Sequence, residues 1–181
     1  MSKNRMFSLG LRLALFVAVV VAMLAAVNVL TRDTIAERKR VAGETARSSL
    51  MAGCTFSQVA DAELPEDTSV TAVYRAEKDG VFMGYCFDVS VKGYNEISMV
   101  VGVGADLNVT GVKILSQTET PGIGSKAVDE NGVYLPLFKT VNVDAMQSHF
   151  VSGATISSRG IWTGVNDSVT LCSILMKEKG E

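Results

Sequence analysis

Residues 70–91 read VTAVYRAEKDGVFMGYCFDVSV, and the pair Asp79-Gly80 in the middle decides the fold. Val, Tyr, Phe and Thr crowd both arms, a composition suited to a pleated, half-buried surface. An Asp-Gly pair between two such arms signals a tight hairpin, because both residues tolerate positive φ. Strands are expected over 70–75 and 81–91, joined by Glu77-Lys78-Asp79-Gly80. Downstream, 97–103 and 109–115 repeat the pattern around the turn residues 104–108. Strands joined by links this short read as an antiparallel meander.

Working outward, a helix is expected over 159–179. Ile161, Val165, Val169, Cys172 and Met176 recur at helical spacing, which marks one apolar face. Ser157 and Ser158 are natural N-caps for it. Trp162 lies beside the stripe, placed either for the core or to cover a bound ring.

Towards the N-terminus, residues 13–31 carry no charge, and Asn28 is their one strongly polar member. At about 1.5 Å per residue, a helix of this length just crosses a bilayer core. A cleaved signal peptide is the alternative reading, with Lys3, Arg5 and Arg12 as its basic region. Signal cores run to about 7–15 residues, so the longer stretch favours a retained single-pass anchor. Lys3, Arg5 and Arg12 on one flank balance Arg32, Arg38, Lys39 and Arg40 on the other, so charge does not orient it. Residues 33–51 look helical, a continuation of the anchor helix, and the acidic stretch 61–69 reads as a loop. The expected organisation is a tail and anchor over 1–31, a connector over 32–69 and a binding domain over 70–181. The fold class is α+β: one transmembrane helix, an antiparallel sheet and a C-terminal helix.

Several function classes drop out on composition. A net charge of −2 does not suit a nucleic-acid surface. His149 is the one histidine, and Cys54, Cys86 and Cys172 form no Cys-x-x-Cys pair, so no metal site is expected. The cysteines read as partly buried apolar residues. Gly102-Val103-Gly104 lacks the third glycine of a dinucleotide loop and reads as turn glycine. No triad or catalytic base stands out.

Two segments remain with chemistry to offer. Glu119-Thr120-Pro121-Gly122-Ile123-Gly124 is a loop whose proline and glycines permit close backbone approach to a ligand. Glu119, Thr120 and Gly122 are candidate site residues there. Ser152-Gly153-Ala154-Thr155-Ile156-Ser157-Ser158 combines small residues with hydroxyls just before the helix. A helix start exposes unpaired N–H groups and partial positive charge, which favour a phosphate. Ser152 and Ser157 can add donors, while Gly153 and Ala154 remove bulk.

The run Ser152-Gly153-Ala154-Thr155 resembles the Ser/Thr-Gly-Ala-Thr motif of the FMN-binding subunits of the Rnf and Na⁺-translocating NADH:quinone reductase complexes. The Glu119–Gly124 segment, Gly93-Tyr94 and the strand 97–103 resemble the same family, in the same order. The resemblance implies FMN joined through a phosphoester to Thr155 by a separate flavin transferase. It implies that the loop 119–124 helps to form the flavin site, and that the C-terminal domain lies outside the cytoplasm. It also implies an electron carrier of the RnfG type, working with other subunits to couple ferredoxin and NAD redox chemistry to ion transport. No complete catalytic activity is expected of this chain alone. The homologous FMN-bearing component of the NADH:quinone reductase, and a flavin-free anchored scaffold, are the alternatives. His149 stands where related sequences often carry Asp three residues before the motif.

Overall fold

Alternation along the strands sorts their side chains onto two faces of one sheet, and each face is covered by helix. The computed structural model describes residues 3–60, 64–65, 67–140 and 143–180, with side chains from Gly10 onward. Part of the acidic loop expected over 61–69 lies outside the described residues. Two units are recognised, Met1–Val41 and Ala42–Glu181.

The first unit is helical. It belongs to α1, Lys3–Leu50, so the helix expected over 33–51 is continuous with the apolar stretch before it. Within α1, Gly10–Leu50 holds a window of mean hydropathy 2.8, long and apolar enough to cross a membrane. The large apolar side chains from Leu11 to Leu30 are exposed, as a lipid-facing helix requires.

The second unit is built on β1 (Thr55–Gln58), β2 (Val70–Lys78), β3 (Val81–Lys92), β4 (Glu96–Gly104) and β5 (Val109–Gln117). All neighbours pair antiparallel, in sequence order. The meander is as expected, with β1 added at its edge. Asp79 and Gly80 take φ of 52° and 77°, the positive values that the hairpin turn demands. After the sheet come a short helix α2 (Tyr134–Leu137), a 3-10 segment Asp144–His149 and α3 (Thr155–Lys179).

One face of the sheet carries Val73, Phe87, Val101 and Val112 in register across four strands. They meet Ile161, Val165, Cys172 and Leu175 of α3 in the main core. Gly160 and Gly164 let the helix come close: a Cβ on Gly160 would stand 2.8 Å from the carbonyl oxygen of Lys92. Trp162 belongs to this framework. Its Nε1–H donates to the carbonyl of Val143 at 2.7 Å and its ring meets Phe150 edge-on.

The last turns of α1 cover the opposite face, where Ala46 and Met51 pack on Ala76, Cys86 and Val100. This corrects the reading of Gly102 as a turn glycine. It lies inside β4, between Cys86 and Gly111, and a Cβ there would overlap Thr110 Oγ1 and approach Leu50 Cβ to 3.3 Å. Arg47 is buried beneath this layer. Its Nη1 donates to both carboxylate oxygens of Asp88, at 2.9 and 3.1 Å, and its guanidinium lies 3.7 Å from the centre of the Tyr74 ring.

Burial raises the Asp88 carboxyl above its ordinary 3.8, and the Arg47 charge and hydrogen bond pull it part of the way back. The folded protein therefore keeps this proton to higher pH than the unfolded chain. As pH rises past 3.8, the unfolded chain loses its proton first, and the stability that Asp88 contributes falls. An Asp88→Asn variant should lack that downward component. Denaturant midpoints across the acid range measure it, and parallel profiles for the two proteins would refute the assignment.

Candidate functional site

Three segments distant in sequence meet at one end of the sheet around a cleft of about 440 Å³. One wall is the turn between β3 and β4, which contributes Tyr94. The second is the loop after β5, with Glu119, Thr120, Ile123 and Gly124. The third is the start of α3, with Gly153, Ala154, Thr155, Ile156 and Ser157. The two motifs singled out in the sequence therefore face one space.

α3 begins at Thr155, four residues earlier than the spacing of its apolar stripe suggests. Gly153 takes a φ of 80°, turning the chain so that Ala154 becomes the N-cap residue, with no side-chain cap. Ser157 and Ser158 are therefore inside the first turn and are not caps. Their hydroxyls are used elsewhere. Ser158 Oγ donates to the Ala154 carbonyl at 2.8 Å and accepts from Val151 N–H at 3.1 Å. Ser157 Oγ donates to Glu119 Oε2 at 2.8 Å. The helix start is held from below by Tyr134, whose hydroxyl donates to the Ser158 carbonyl at 2.9 Å.

The first intrahelical bond runs from Ser158 N–H to the Ala154 carbonyl. The N–H groups of Thr155, Ile156 and Ser157 precede it and have no partner within the helix. Thr155 is exposed beside them. A Cβ built on Gly153 would meet nothing within 4 Å, so the approach to these donors is open.

Glu119 is buried, with 4% of its surface exposed. Its Oε1 accepts from the backbone N–H of Asn95 at 2.9 Å, and its Oε2 from Ser157. Thr120 is exposed, and its carbonyl accepts from Ile123 and Ser125 N–H groups at 3.2 and 3.3 Å. Gly122 takes a φ of 77° and donates its N–H to Ser125 Oγ at 2.8 Å. Gly122 and Ser152 are exposed and are not among the residues lining the cleft. Trp162 and His149 are likewise outside the lining. His149 ends the 3-10 segment, with its Nδ1 3.1 Å from Ser148 Oγ and from the Ala145 carbonyl.

Sequence reasoning passed over the apolar rim. Tyr94, Ile123 and Ile156 are 69%, 55% and 55% exposed, large apolar side chains left in water beside a polar floor. Such a rim suits one face of a planar aromatic ligand whose other end is charged. Each of the three adjoins a glycine or the motif threonine, a signal that the sequence carries. Among the described residues, no group of His, Cys, Asp or Glu could hold a metal ion.

Residues 93–170 match the FMN-binding domain family, and residues 1–46 match the RnfG N-terminal region. The chain is 28% identical to the G subunit of the Na(+)-translocating ferredoxin:NAD(+) oxidoreductase complex of Acetobacterium woodii, over 94% of this chain and 93% of that one. It is 32% identical to the G subunit of the ion-translocating oxidoreductase complex of Vibrio vulnificus, over 65% of this chain and 60% of the relative. For the protein of the same name from Shewanella oneidensis the figures are 33%, 68% and 63%.

Proposed function

Because residues 1–46 match the RnfG N-terminal region and residues 93–170 the FMN-binding domain family, we propose that the chain is an RnfG-type electron carrier with FMN attached to Thr155. The link is a phosphoester, and the protein serves within an Rnf-type complex in the membrane. The observation that carries this reading is the position of Thr155: exposed, first in α3, and opening on the cleft.

The residues present fit such a group. Three N–H donors at the helix start favour a phosphate beside Thr155. The cleft of about 440 Å³ and its apolar rim offer space and apolar surface for the ring. Bound FMN supplies one- and two-electron redox chemistry. The chain itself orients the group, shields one side of it and tethers it. Forming the ester makes a bond from Thr155 Oγ to phosphorus, releases the hydroxyl proton and breaks the bond from phosphorus to a leaving group. The flavin transferase would supply that donor, an activated flavin phosphate. A covalent tether suits a domain outside the cytoplasm, where lost FMN is not readily replaced.

The relatives' names support partners among the other subunits of an ion-translocating complex, with ferredoxin and NAD chemistry belonging to the whole assembly. Denaturing electrophoresis tests the cofactor reading. Protein matured with a flavin transferase should give a fluorescent band at its own mass. Colour that is lost on denaturation would leave FMN binding and remove the covalent link.

The orientation has its own test. Lys78 is exposed at the end of β2, next to the β2–β3 turn. A Lys78→Cys, Cys54→Ser protein should react with a membrane-impermeant maleimide in cells whose outer surface is accessible. Reaction only after the cytoplasm is opened would reverse the topology.

A further inference from the structure

We propose that Glu119 is a positioning residue for flavin attachment, its carboxylate tying the β3–β4 turn to the first turn of α3 and so setting where Thr155 stands. This rests on the reading of Thr155 above. The carboxylate joins all three walls of the cleft. It belongs to the loop after β5, accepts from Asn95 N–H on one oxygen, and accepts from the Ser157 hydroxyl on the other.

The surroundings are shaped around it. A Cβ on Gly93 would stand 2.6 Å from Oε1, and a Cβ on Gly124 would overlap Oε2 and approach Ser157 Oγ to 2.9 Å. Neither glycine has a positive φ, so close contacts and not backbone conformation exclude a side chain at both: the carboxylate at each, joined at Gly93 by Ile97 Cδ1 and Ser157 Cα. Two more bonds brace the node. Glu119 N–H donates to Gln117 Oε1 at 2.6 Å, and Asn95 Nδ2 donates to the Thr118 carbonyl at 2.7 Å. Ser157 is two residues beyond Thr155 on the same helical turn. A negative charge held there also complements the positive end of the helix. With both oxygens engaged and the side chain buried, the arrangement suits holding better than proton transfer.

A glutamine separates holding from charge. Its Oε1 can accept from Asn95, and its Nε2 can donate to Ser157 Oγ, which reverses its role. Alanine makes neither bond. The test follows covalent flavin against time on the full-length protein, with a flavin transferase, for wild type, Glu119→Ala and Glu119→Gln. Alanine should slow attachment about tenfold or more, through the maximal rate and not the KM for the flavin donor, since misplacing a reacting group by an ångström costs that much. Glutamine should recover the rate to within about threefold of wild type.

Hydrogen exchange of the Ser158 amide, the first bonded within α3, and of the amides that follow it, on protein without flavin, is the second measurement. It should quicken in the alanine variant and return to the wild-type rate in the glutamine variant. Equal loss in both variants would overturn the proposal in favour of a charge or proton role. Wild-type attachment and exchange in Glu119→Ala would also overturn it. If wild type itself takes no covalent flavin, the Thr155 reading fails, and exchange alone decides whether Glu119 holds the helix start. If Glu119→Ala does not fold, Ser157→Ala cuts one arm of the same node and carries the same comparison.

Discussion

A Thr155→Ala protein should fold, insert and carry no covalent flavin. Intact mass would read one FMN on the wild type after maturation and none on the variant, a change from full occupancy to zero. Three features make the loss complete. Thr155 is the exposed hydroxyl at the helix start that opens on the cleft. The neighbouring hydroxyls are already committed, Ser157 to Glu119 and Ser158 to the Ala154 carbonyl. Ser152 is outside the lining of the cleft. Folding should survive, because an exposed first-turn threonine contributes little packing, and alanine has the higher helix propensity. Equal flavin mass on the two proteins would remove Thr155 from the role. Flavin moved to Ser152 would show that the transferase reads the motif more loosely than the geometry does.

Gly164→Val should have the largest effect on stability. A Cβ at Gly164 would fall 2.5 Å from Met99 Cε, 2.7 Å from Val89 Cγ1 and 2.8 Å from Val91 Cγ1. All three neighbours are buried in the sheet beneath α3, so none can move aside into solvent. Overpacking of this kind costs about 1–3 kcal/mol, and a branched side chain belongs at the upper end. Alanine should cost less, because its better helix propensity returns about 1 kcal/mol. The denaturant midpoint of the full chain in detergent measures the order: wild type, then alanine, then valine. Flavin attachment should fall with it, since lifting α3 from the sheet carries Thr155 out of the cleft. An unchanged midpoint for the valine variant would mean that α3 does not lie this close.

The strands and the terminal helix were legible because they rest on short-range pattern. Asp79-Gly80 between β-rich arms gives the hairpin whatever surrounds it, and the spacing of Ile161, Val165 and Cys172 gives the buried face of α3. β1 was not legible. Four residues, Thr55–Gln58, are too few to show a period, and their partner β2 selects them. The start of α3 was misplaced for a related reason. Apolar periodicity begins at Ile161, but the first turn is held by polar contacts, from Tyr134 to the Ser158 carbonyl and from Ser157 to Glu119. Serine read as a cap is sound locally; here Gly153, at a φ of 80°, turns the chain earlier and leaves both serines inside the first turn.

The candidate site divides in the same way. Its two segments stood out by composition, glycine and proline in one, small residues and hydroxyls in the other. That they face one space could not be read from either. By itself the sequence determined the kinds of element, their order, a helix apolar enough for a bilayer and the residues with chemistry to offer. Those properties depend on neighbours a few positions apart. Only the tertiary structure decided that Glu119 reaches Ser157 across 38 residues, that Arg47 reaches Asp88 across 41, and that Gly102 makes room for Thr110 and Leu50. Such pairings are selected by burial. A carboxylate or guanidinium withdrawn from water must find its partner wherever the fold brings one, and nothing in its own stretch of chain says where that is.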